Sequence, residues 1–350
     1  MQKTPDRGGM RRMTYPPYTI TSVILKRVAN ISEQLAARAA VRGLAEDLLS
    51  PHLRRENRIR TIHASLAIEN NTLSLEQVTD IINGKTVIGP PRDIQEVHGA
   101  VSAYERLDTW QPHKLEDMLS AHAVLMHDLV ERPGSLRTGG VGVFQGNRVV
   151  HMAPPAHLVH EHLKKLLGWL QNTDEHPLVS SCVFHYEFEF IHPFADGNGR
   201  MGRLWQTLIL SKWNPLFAYL PVETIVRNRQ AEYYDSLGRA DAQGEATAFM
   251  EFMLTALNDA VNDIRSDQAN DQVSDQVRRL LEALGQGEKS AAGLMDDLGL
   301  RHAPTFRKNY LSPALEATLV ERTRPDAPRS PLQKYRLTAT GRKIVDSGTL

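Results

Sequence analysis

Twelve consecutive residues concentrate side chains that are suited to binding phosphate. Residues 192–203 read His-Pro-Phe-Ala-Asp-Gly-Asn-Gly-Arg-Met-Gly-Arg. Gly197 and Gly199 flank Asn198, and glycines at this spacing let the backbone approach an anion and present its N–H groups to it. Apolar residues follow at helical spacing, so a helix should begin in this loop and direct the positive end of its dipole to the same place. The segment therefore predicts a phosphate-binding loop.

The charged residues of this loop suit the transfer of a phosphate-containing group. Histidine titrates near neutral pH, which makes His192 a candidate general base. Asp196 offers the hard carboxylate oxygens that Mg²⁺ prefers. Arg200 and Arg203 are three residues apart on one helix face, where both guanidiniums could bind phosphate oxygens. A Walker A loop is excluded because no Lys-Ser/Thr pair follows the glycines.

The loop resembles the signature of the Fic family, His-Pro-Phe-x-Asp/Glu-Gly-Asn-Gly-Arg-x-x-Arg, and matches it at every defined position. The resemblance implies that the chain transfers AMP from ATP to a Ser, Thr or Tyr hydroxyl of a protein and releases pyrophosphate. His192 would then deprotonate the target hydroxyl, and Asp196 would hold Mg²⁺ on the α- and β-phosphates. The implied anion hole and outer-phosphate contacts involve Gly197, Asn198, Gly199, Arg200 and Arg203. Positioning and charge neutralisation are what such a transfer chiefly requires.

A second segment resembles an inhibitory motif that some family members carry before the core, Ser/Thr-x-x-x-Glu-Gly/Asn. Here it reads Ser65-Leu-Ala-Ile-Glu69-Asn70, within a stretch that is charged and apolar at helical spacing. The resemblance implies that Glu69 pairs with Arg203 and occupies the guanidinium that would hold the γ-phosphate. An arginine–carboxylate pair is directional and competes directly with a phosphate oxygen. We therefore expect autoinhibition by the motif residues Ser65, Glu69 and Asn70.

Two further segments resemble parts of the family's substrate site. The run from Val141 to Pro155 reads as two short β-segments around Gln145-Gly-Asn147 and resembles a β-hairpin flap that aligns the target segment by strand addition. The flap residues implied to line the site are Val149, Val150, His151 and Met152. Tyr233 and Tyr234 match a tyrosine pair that lies near the adenine in family members.

Helical patterns dominate the rest of the chain and must position this loop. The run from Val179 to Ile191 is apolar on several faces and predicts a buried helix directly before the loop. Apart from the flap there is little strand signal, so we expect a mostly α fold, a Fic-type helical bundle with a β-hairpin flap. We predict an N-terminal helical region at 1–90, which carries the inhibitory helix, and a catalytic core at 91–265.

A polar, repetitive stretch from residue 266 predicts a linker into a C-terminal domain at 266–350. Three helical patterns and two short strands with a Pro-rich turn follow and predict a winged helix-turn-helix. From 301 to 343 there are ten Lys or Arg residues against three acidic ones, and the recognition helix would carry Arg307, Lys308 and Asn309. Such a stripe can follow a phosphate backbone, but the same fold also serves protein contacts, so DNA and protein both stay open as partners.

Composition narrows the class of protein. A chain of 350 residues exceeds the usual size of a single core, so two or three domains are expected. The 41 basic and 41 acidic residues balance, so no global charge indicates nucleic-acid binding. Cys182 is the only cysteine, which excludes a disulfide framework and a cysteine-based metal cluster. No stretch of about 18 apolar residues occurs and the polar start lacks a signal peptide's apolar core, so we expect a cytoplasmic protein without membrane contact.

The sequence leaves three functions open. The first is an autoinhibited adenylyltransferase that uses ATP and Mg²⁺ and acts on a protein substrate, the chain itself included. The second is the reverse reaction, in which Glu69 positions a water that removes AMP from a modified protein. The third is a DNA-binding regulator whose core senses nucleotide, although His192, Asp196 and a target flap argue against it because a sensor needs none of them. A homodimer is compatible with all three, and no segment specifies its interface.

Overall fold

In the computed structural model the described residues are 15–42, 51–140, 142–145, 148–271, 275–327, 330 and 332–346. They belong to two compact units, residues 1–263 and 264–350. Each unit has a hydrophobic core of its own. The first unit contains both the predicted N-terminal region and the predicted catalytic core, so the boundary between those two domains stays a prediction.

The first unit consists mainly of helices, which confirms the mostly α prediction. Its helices are α1 Ser22–Arg42, α2 Pro51–Ile68, α3 Leu75–Ile82, α4 Pro91–Glu105, α5 Leu115–Leu125, α6 Ala156–Asn172, α7 Pro177–Ile191, α8 Asn198–Trp213, α9 Val222–Asn228, α10 Gln230–Gln243 and α11 Thr247–Asp271, whose residues from 264 onwards belong to the second unit. Two short 3₁₀ helices span Leu107–Thr109 and Pro215–Tyr219. In the described part of the chain, no helix combines the length and the apolar composition needed to span a membrane.

The predicted flap is a two-stranded antiparallel hairpin. Its strands are β1 Gly142–Gln145 and β2 Arg148–Met152, and the turn residues 146 and 147 lie outside the described residues. Gly142 pairs with Met152, Val143 with His151, and Phe144 with Val149. The register shifts between Val143 and Phe144, which is a bulge of the kind that twists a hairpin locally.

Helices α7 and α8 pack against each other at the centre of the first unit's core. Phe184 and Phe188 on α7, and Leu204 and Trp205 on α8, are buried in it. The indole N–H of Trp205 donates to the Pro112 carbonyl at 2.9 Å, so this buried polar group is satisfied. The loop that joins these two helices, residues 192–197, is therefore anchored in the core at both ends.

Helix α2 packs its apolar face into the same core and ends in a turn formed by residues 69–71. The N–H groups of Glu69 and Asn70 still donate to the carbonyls of Leu66 and Ala67. Asn70 then adopts a positive φ of 68°, a conformation that asparagine tolerates better than most residues. We call residues 69–71 the 69–71 turn. From this turn the Glu69 carboxylate reaches α8, where Arg203 donates to it.

The second unit combines helices with a small antiparallel sheet. Its helices are α12 Asp275–Gly285, α13 Ala291–Asp297, α14 Ala303–Phe306, α15 Ser312–Glu316 and α16 Ala339–Asp346, and a π-helical segment, Arg307–Leu311, joins α14 to α15. The strands β3 Lys289–Ser290, β4 Val320–Arg322 and β5 Lys334–Leu337 lie in the order β3-β5-β4. The sequence predicted β4, β5 and the first three helical segments but neither β3 nor α16. A two-residue strand is too short to produce an alternating pattern.

Candidate active site

The loop between α7 and α8 begins with an unusual backbone conformation at His192. This residue ends α7 with φ 49° and ψ 62°, and its N–H still donates to the Phe188 carbonyl at 2.9 Å. A positive φ is uncommon for a residue with a β-carbon and costs conformational energy, so the surroundings must hold it. The His192 side chain is half-buried at the surface of the first unit. The chain thus leaves the helix abruptly at its candidate general base.

Arg137 holds this segment in place, although no motif in the sequence marks it. Its guanidinium is buried and its Nε donates to the His192 carbonyl at 2.7 Å. The Arg137 backbone N–H donates to the Pro193 carbonyl at 3.0 Å. Further guanidinium hydrogen bonds go to the carbonyls of Gly139 (2.8 Å), Pro154 (2.5 Å) and Ile191 (3.3 Å). Arg137 therefore ties the start of the loop to the segment that follows the flap.

His122 supports the middle of the loop and was also missed. Its Nδ1 accepts from the Gly134 N–H at 2.9 Å, so we assign the proton to Nε2, which then donates to the Asp196 carbonyl at 3.0 Å. Its ring stacks on Phe194 with the centroids 3.7 Å apart. Burial lowers the pKa of His122 to about 4, so the ring is neutral at pH 7.

The loop itself is closed by Asn198. Its side-chain oxygen accepts from the Phe194 N–H at 2.9 Å, and its side-chain N–H₂ donates to the Phe194 carbonyl at 2.9 Å. The buried Asn198 amide thus shapes the loop, and the ligand contact that the resemblance implied stays a prediction. Gly197 has φ 83°, and a β-carbon there would lie 2.6 Å from the Met126 sulfur. Glycine is required at this position both for its conformation and for space.

The Glu69 carboxylate lies against the first turn of α8. A β-carbon built on Gly199 would lie 2.2 Å from Glu69 Oε1, so the absence of a side chain at Gly199 makes room for the carboxylate. The N-terminal end of a helix attracts anions because its N–H groups and its dipole face them. An internal carboxylate therefore occupies the N-terminal end of α8, where an anion is favoured.

Arg203 is engaged by the same segment. It is buried, and its Nη2 donates to Glu69 Oε1 at 2.8 Å and to the Ser65 carbonyl at 3.0 Å. Its Nε donates to Ser65 Oγ at 3.0 Å. Burial alone would lower the pKa of Arg203, but Glu69, Tyr233 and Glu189 together outweigh burial and raise the pKa above its ordinary value. The structure thus brings together Ser65, Glu69 and Arg203 as the sequence predicted.

Arg200 belongs to a second group of charges. Its Nη1 forms an ion pair with Glu96 Oε1 at 3.0 Å, and its Nη2 donates to Asp196 Oδ1 at 3.2 Å. Arg92 donates from Nη2 to Asp196 Oδ2 at 2.8 Å, and the Gly197 N–H donates to Asp196 Oδ1 at 2.6 Å. Glu96 and Arg92 lie on α4, about a hundred residues before the loop, and no local pattern marked them.

Asp196 fits the role of a magnesium ligand in the donor atoms it offers. Its side chain is 42% exposed and supplies hard carboxylate oxygens beside the N-terminal end of α8. Mg²⁺ commonly takes one or two protein carboxylates and fills its other positions with phosphate oxygens and water. Among the described residues no group of three or more His, Cys, Asp or Glu side chains could hold a metal without such help. A single carboxylate is compatible with an ion that arrives with a nucleotide.

The two tyrosines of α10 have different surroundings. Tyr233 is 2% exposed, and its hydroxyl lies 3.3 Å from His185 Nε2 beneath α8, whereas Tyr234 is 41% exposed. His185 Nδ1 lies 2.6 Å from Gln206 Oε1, and burial lowers the pKa of His185 to about 3. Strand β2, which carries Val149, Val150, His151 and Met152, lies beside α10. The flap and the exposed Tyr234 are therefore parts of one region.

Comparisons with known proteins agree with this arrangement. Residues 110–210 match the Fic/DOC family, and residues 275–338 match the C-terminal domain of the filamentation induced by cAMP protein Fic-like. Protein adenylyltransferase fic-1 of Caenorhabditis elegans is 34% identical over 213 residues, which are 57% of this chain and 39% of that protein. The chain thus spans about two fifths of the length of the curated relatives that it matches first.

Solved structures extend the comparison to most of the chain. A structure of Fic-1 from Caenorhabditis elegans is 23% identical, covers 70% of this chain and 74% of its own, and has a TM-score of 0.56, which shows a shared fold. A Fic family protein from Desulfovibrio desulfuricans G20 is 60% identical and covers 93% of this chain and 98% of its own, with a TM-score of 0.69. The chain therefore belongs to the Fic family.

Proposed function

We propose that the chain is a protein adenylyltransferase, which transfers AMP from ATP to a Ser, Thr or Tyr hydroxyl of a protein and releases pyrophosphate. The observation that carries the proposal is the pairing of Glu69 with Arg203 at the N-terminal end of α8. A carboxylate of the chain itself lies at the N-terminal end of α8, next to the loop that carries His192 and Asp196, and this supports an anion-binding site there. The names of the curated relatives, protein adenylyltransferase fic-1 and Fic, support the same reaction.

In the proposed reaction His192 accepts the proton of the target hydroxyl. The hydroxyl oxygen forms a bond to the α-phosphorus of ATP as the bond to the β-phosphate oxygen breaks, so pyrophosphate leaves. Arg200 and Arg203 would neutralise the outer phosphates, and the N–H groups at the start of α8 would face the negative oxygens. Mg²⁺ bound through Asp196 would supply further charge neutralisation on the phosphates. Arg137 and His122 hold the loop, so these groups are positioned before the nucleotide arrives.

Autoinhibition follows from the sharing of Arg203. The Glu69 carboxylate and a γ-phosphate oxygen would both use the same Nη2 donor, so they exclude each other. Full binding of ATP in this mode would require the 69–71 turn to withdraw Glu69. The chain would then have low basal activity that increases when the carboxylate is removed.

The test uses ATP labelled at the α-phosphate, with Mg²⁺ and the wild-type chain, Glu69→Gly and His192→Ala. We expect protein labelling, of the chain itself or of an added target, that rises with Glu69→Gly. His192→Ala should abolish labelling in either background. Transfer of label from the γ-phosphate in a parallel reaction would contradict the proposed chemistry.

A reverse activity is favoured by one observation on Glu69. Its side chain is 32% exposed, so its carboxylate reaches solvent while it contacts the nucleotide-binding loop. A carboxylate in this position could orient a water for the removal of AMP. Incubating a labelled target with unlabelled chain would detect release of AMP, which Glu69→Gly should abolish under this alternative.

The second unit supports a further binding function, recognition of duplex DNA by a winged helix. The helical run from Ala303 to Glu316 contains a π-helical turn and exposes Arg307, Lys308 and Asn309. The β4–β5 hairpin adds the exposed Arg322, Arg324 and Lys334. Arg336 is already paired with Glu321 at 2.6 Å and with Glu288 at 3.4 Å, so it contributes less.

The DNA proposal predicts a gel shift with random-sequence duplex that weakens steeply as salt rises. Replacing Arg307 and Lys308 with glutamate should abolish the shift, whereas Lys164→Glu on the exposed surface of α6 should leave it unchanged. If the chain does not bind duplex DNA at low salt, the DNA proposal is refuted and a protein partner for this surface is favoured.

A further inference from the structure

A buried carboxylate on α4, Glu96, is not used by the proposed chemistry. Both of its oxygens are engaged. Oε1 pairs with Arg200 Nη1 at 3.0 Å and lies 3.5 Å from Arg92 Nε, and Oε2 accepts from the Asn71 side-chain N–H₂ at 2.9 Å. The Glu96 side chain is 7% exposed and that of Arg200 is 5% exposed. This is a charged pair almost entirely removed from water.

Such a pair is an inefficient way to stabilise a fold. Desolvation of two buried charges offsets most of their attraction, and apolar residues of similar size often serve stability as well or better. What the pair does provide is a fixed orientation. Two carboxylates flank the Arg200 guanidinium: its Nη2 donates to Asp196, and its Nη1 lies 3.0 Å from Glu96 as an ion pair without hydrogen-bond geometry. The charge of Glu96 thus favours one direction of the guanidinium.

The same carboxylate is connected to the inhibitory motif. Asn71 lies two residues after Glu69 in the 69–71 turn, and its side-chain N–H₂ donates to both Glu96 Oε2 and the Asp93 carbonyl at 3.0 Å. The turn therefore contacts Arg203 directly through Glu69, and it reaches Arg200 through Asn71 and Glu96. Both candidate phosphate-binding arginines are thus connected to one short segment.

We propose that Glu96 is a positioning residue of the nucleotide site, which orients Arg200 towards the outer phosphates of ATP and links it through Asn71 to the 69–71 turn. The choice of ligand rests on the proposed function. Glu96 itself does not contact the nucleotide in this role and acts through Arg200.

An orienting role of Glu96 and a purely electrostatic role predict opposite changes in the affinity for ATP when Glu96 is replaced. If Glu96 acted only as a negative charge near the phosphates, its removal would strengthen the binding of an anion. If it orients Arg200, its removal weakens the binding of nucleotides that carry outer phosphates, because the guanidinium loses its preorganised direction. AMP carries no outer phosphates, so its affinity reports whether the rest of the site is intact.

The test compares Glu69→Gly with Glu69→Gly/Glu96→Gln, since Glu69→Gly leaves Arg203 available to ligand in both proteins. Calorimetric titrations with ATP and with AMP, each with Mg²⁺, give the four dissociation constants. We expect Glu96→Gln to weaken ATP binding by about tenfold, because the buried Arg200 loses the counter-charge that orients it, and to leave AMP binding unchanged. Asn71→Ala should also weaken ATP binding, but by a smaller factor. Glu105→Gln, at the exposed end of the same helix, is the matched control and should change neither constant.

Two results would overturn the proposal. The first is ATP affinity that stays the same or increases in Glu96→Gln. The second is a parallel loss of ATP and AMP binding, which indicates a general structural role. The readout is binding, so it separates this inference from the proposed activity. A third result is that Glu69→Gly binds ATP more tightly than AMP, loses this preference with Glu96→Gln, and yet transfers no AMP. That result would retain the positioning role of Glu96 and refute the proposed adenylyltransferase activity.

Discussion

The ion pair between Glu69 and Arg203 should stabilise the chain when nucleotide is absent, and Glu69→Gln tests this. The substitution keeps the shape of the side chain and an oxygen acceptor but removes its charge. Arg203 is 3% exposed and would remain as a buried guanidinium without its counter-ion. Glutamine at this position should therefore make the unliganded protein less stable while it makes the site more receptive to phosphate.

The magnitude follows from the burial of the two partners. Breaking a fully buried pair costs about 3–5 kcal/mol, and an exposed pair contributes about 0–1 kcal/mol. Arg203 is buried but Glu69 is 32% exposed, and the two Ser65 hydrogen bonds remain. We therefore expect a loss of about 1–3 kcal/mol, which for a domain of this size lowers Tm by several degrees, at about 2–4 °C per kcal/mol.

Thermal unfolding without nucleotide and with saturating ATP and Mg²⁺ measures both effects. Without ligand, Glu69→Gln should have a lower Tm than wild type. On addition of ATP its Tm should rise by more than that of wild type, because tighter binding stabilises the folded state more. Glu232→Gln is the control, since Glu232 pairs with Arg229 at 2.6 Å but is 58% exposed. A Tm for Glu69→Gln equal to or above that of wild type without ligand, with the same gain from ATP, would refute this reasoning.

Three further predictions concern the residues that shape the loop. Arg137→Lys should lower kcat while changing KM for ATP little, because the three donors of one ammonium nitrogen cannot reproduce the four carbonyl bonds that the planar guanidinium makes from three nitrogens. Steady-state kinetics of the Glu69→Gly background would show this, and unchanged kcat would contradict it. Gly197→Ala should lower the free energy of unfolding by about 1–2 kcal/mol from its positive φ alone, measured by denaturant titration, and a neutral effect would mean that the loop is not held in this conformation. The buried His185 should lower the free energy of unfolding as the pH falls. Its folded pKa of about 3 lies below the ordinary value of 6.5, so between these values the unfolded chain binds a proton that the folded chain does not, and stability is lost as the pH falls. The difference in unfolding free energy between wild type and His185→Asn should change by up to about 1.4 kcal/mol per pH unit across that window, and a constant difference would exclude a neutral buried ring.

The contiguous parts of the site could be predicted from the sequence, and the reason is local. His192, Asp196 and the glycines lie within one loop, and the helix that begins at Asn198 follows from the apolar spacing after it. Their roles in binding and transfer stay predictions. The pairing of Glu69 with Arg203 was also anticipated, but only because the motif resembled one in the family, since 134 residues separate the two side chains.

The supporting residues could not be found this way. Arg137 stands after a turn and looks like a surface arginine, and its burial depends on carbonyls that the fold brings from the loop and the flap. Glu96 and Arg92 occupy ordinary positions on α4, where a charged residue usually faces solvent. Asn198 was correctly placed in the loop, but whether its amide faces a ligand or the backbone depends on distances that spacing does not determine. Tertiary packing decides all of these contacts.

The competition for Arg203 is tested most directly by the affinity for ATP. Calorimetric titration with ATP and Mg²⁺ should be performed on wild type, Glu69→Gly, Arg203→Ala and the double variant, which form a double-mutant cycle. Glu69→Gly should bind ATP about tenfold more tightly than wild type, and this gain should disappear when Arg203 is alanine. Equal affinities of wild type and Glu69→Gly, or a gain that persists without Arg203, would contradict the account.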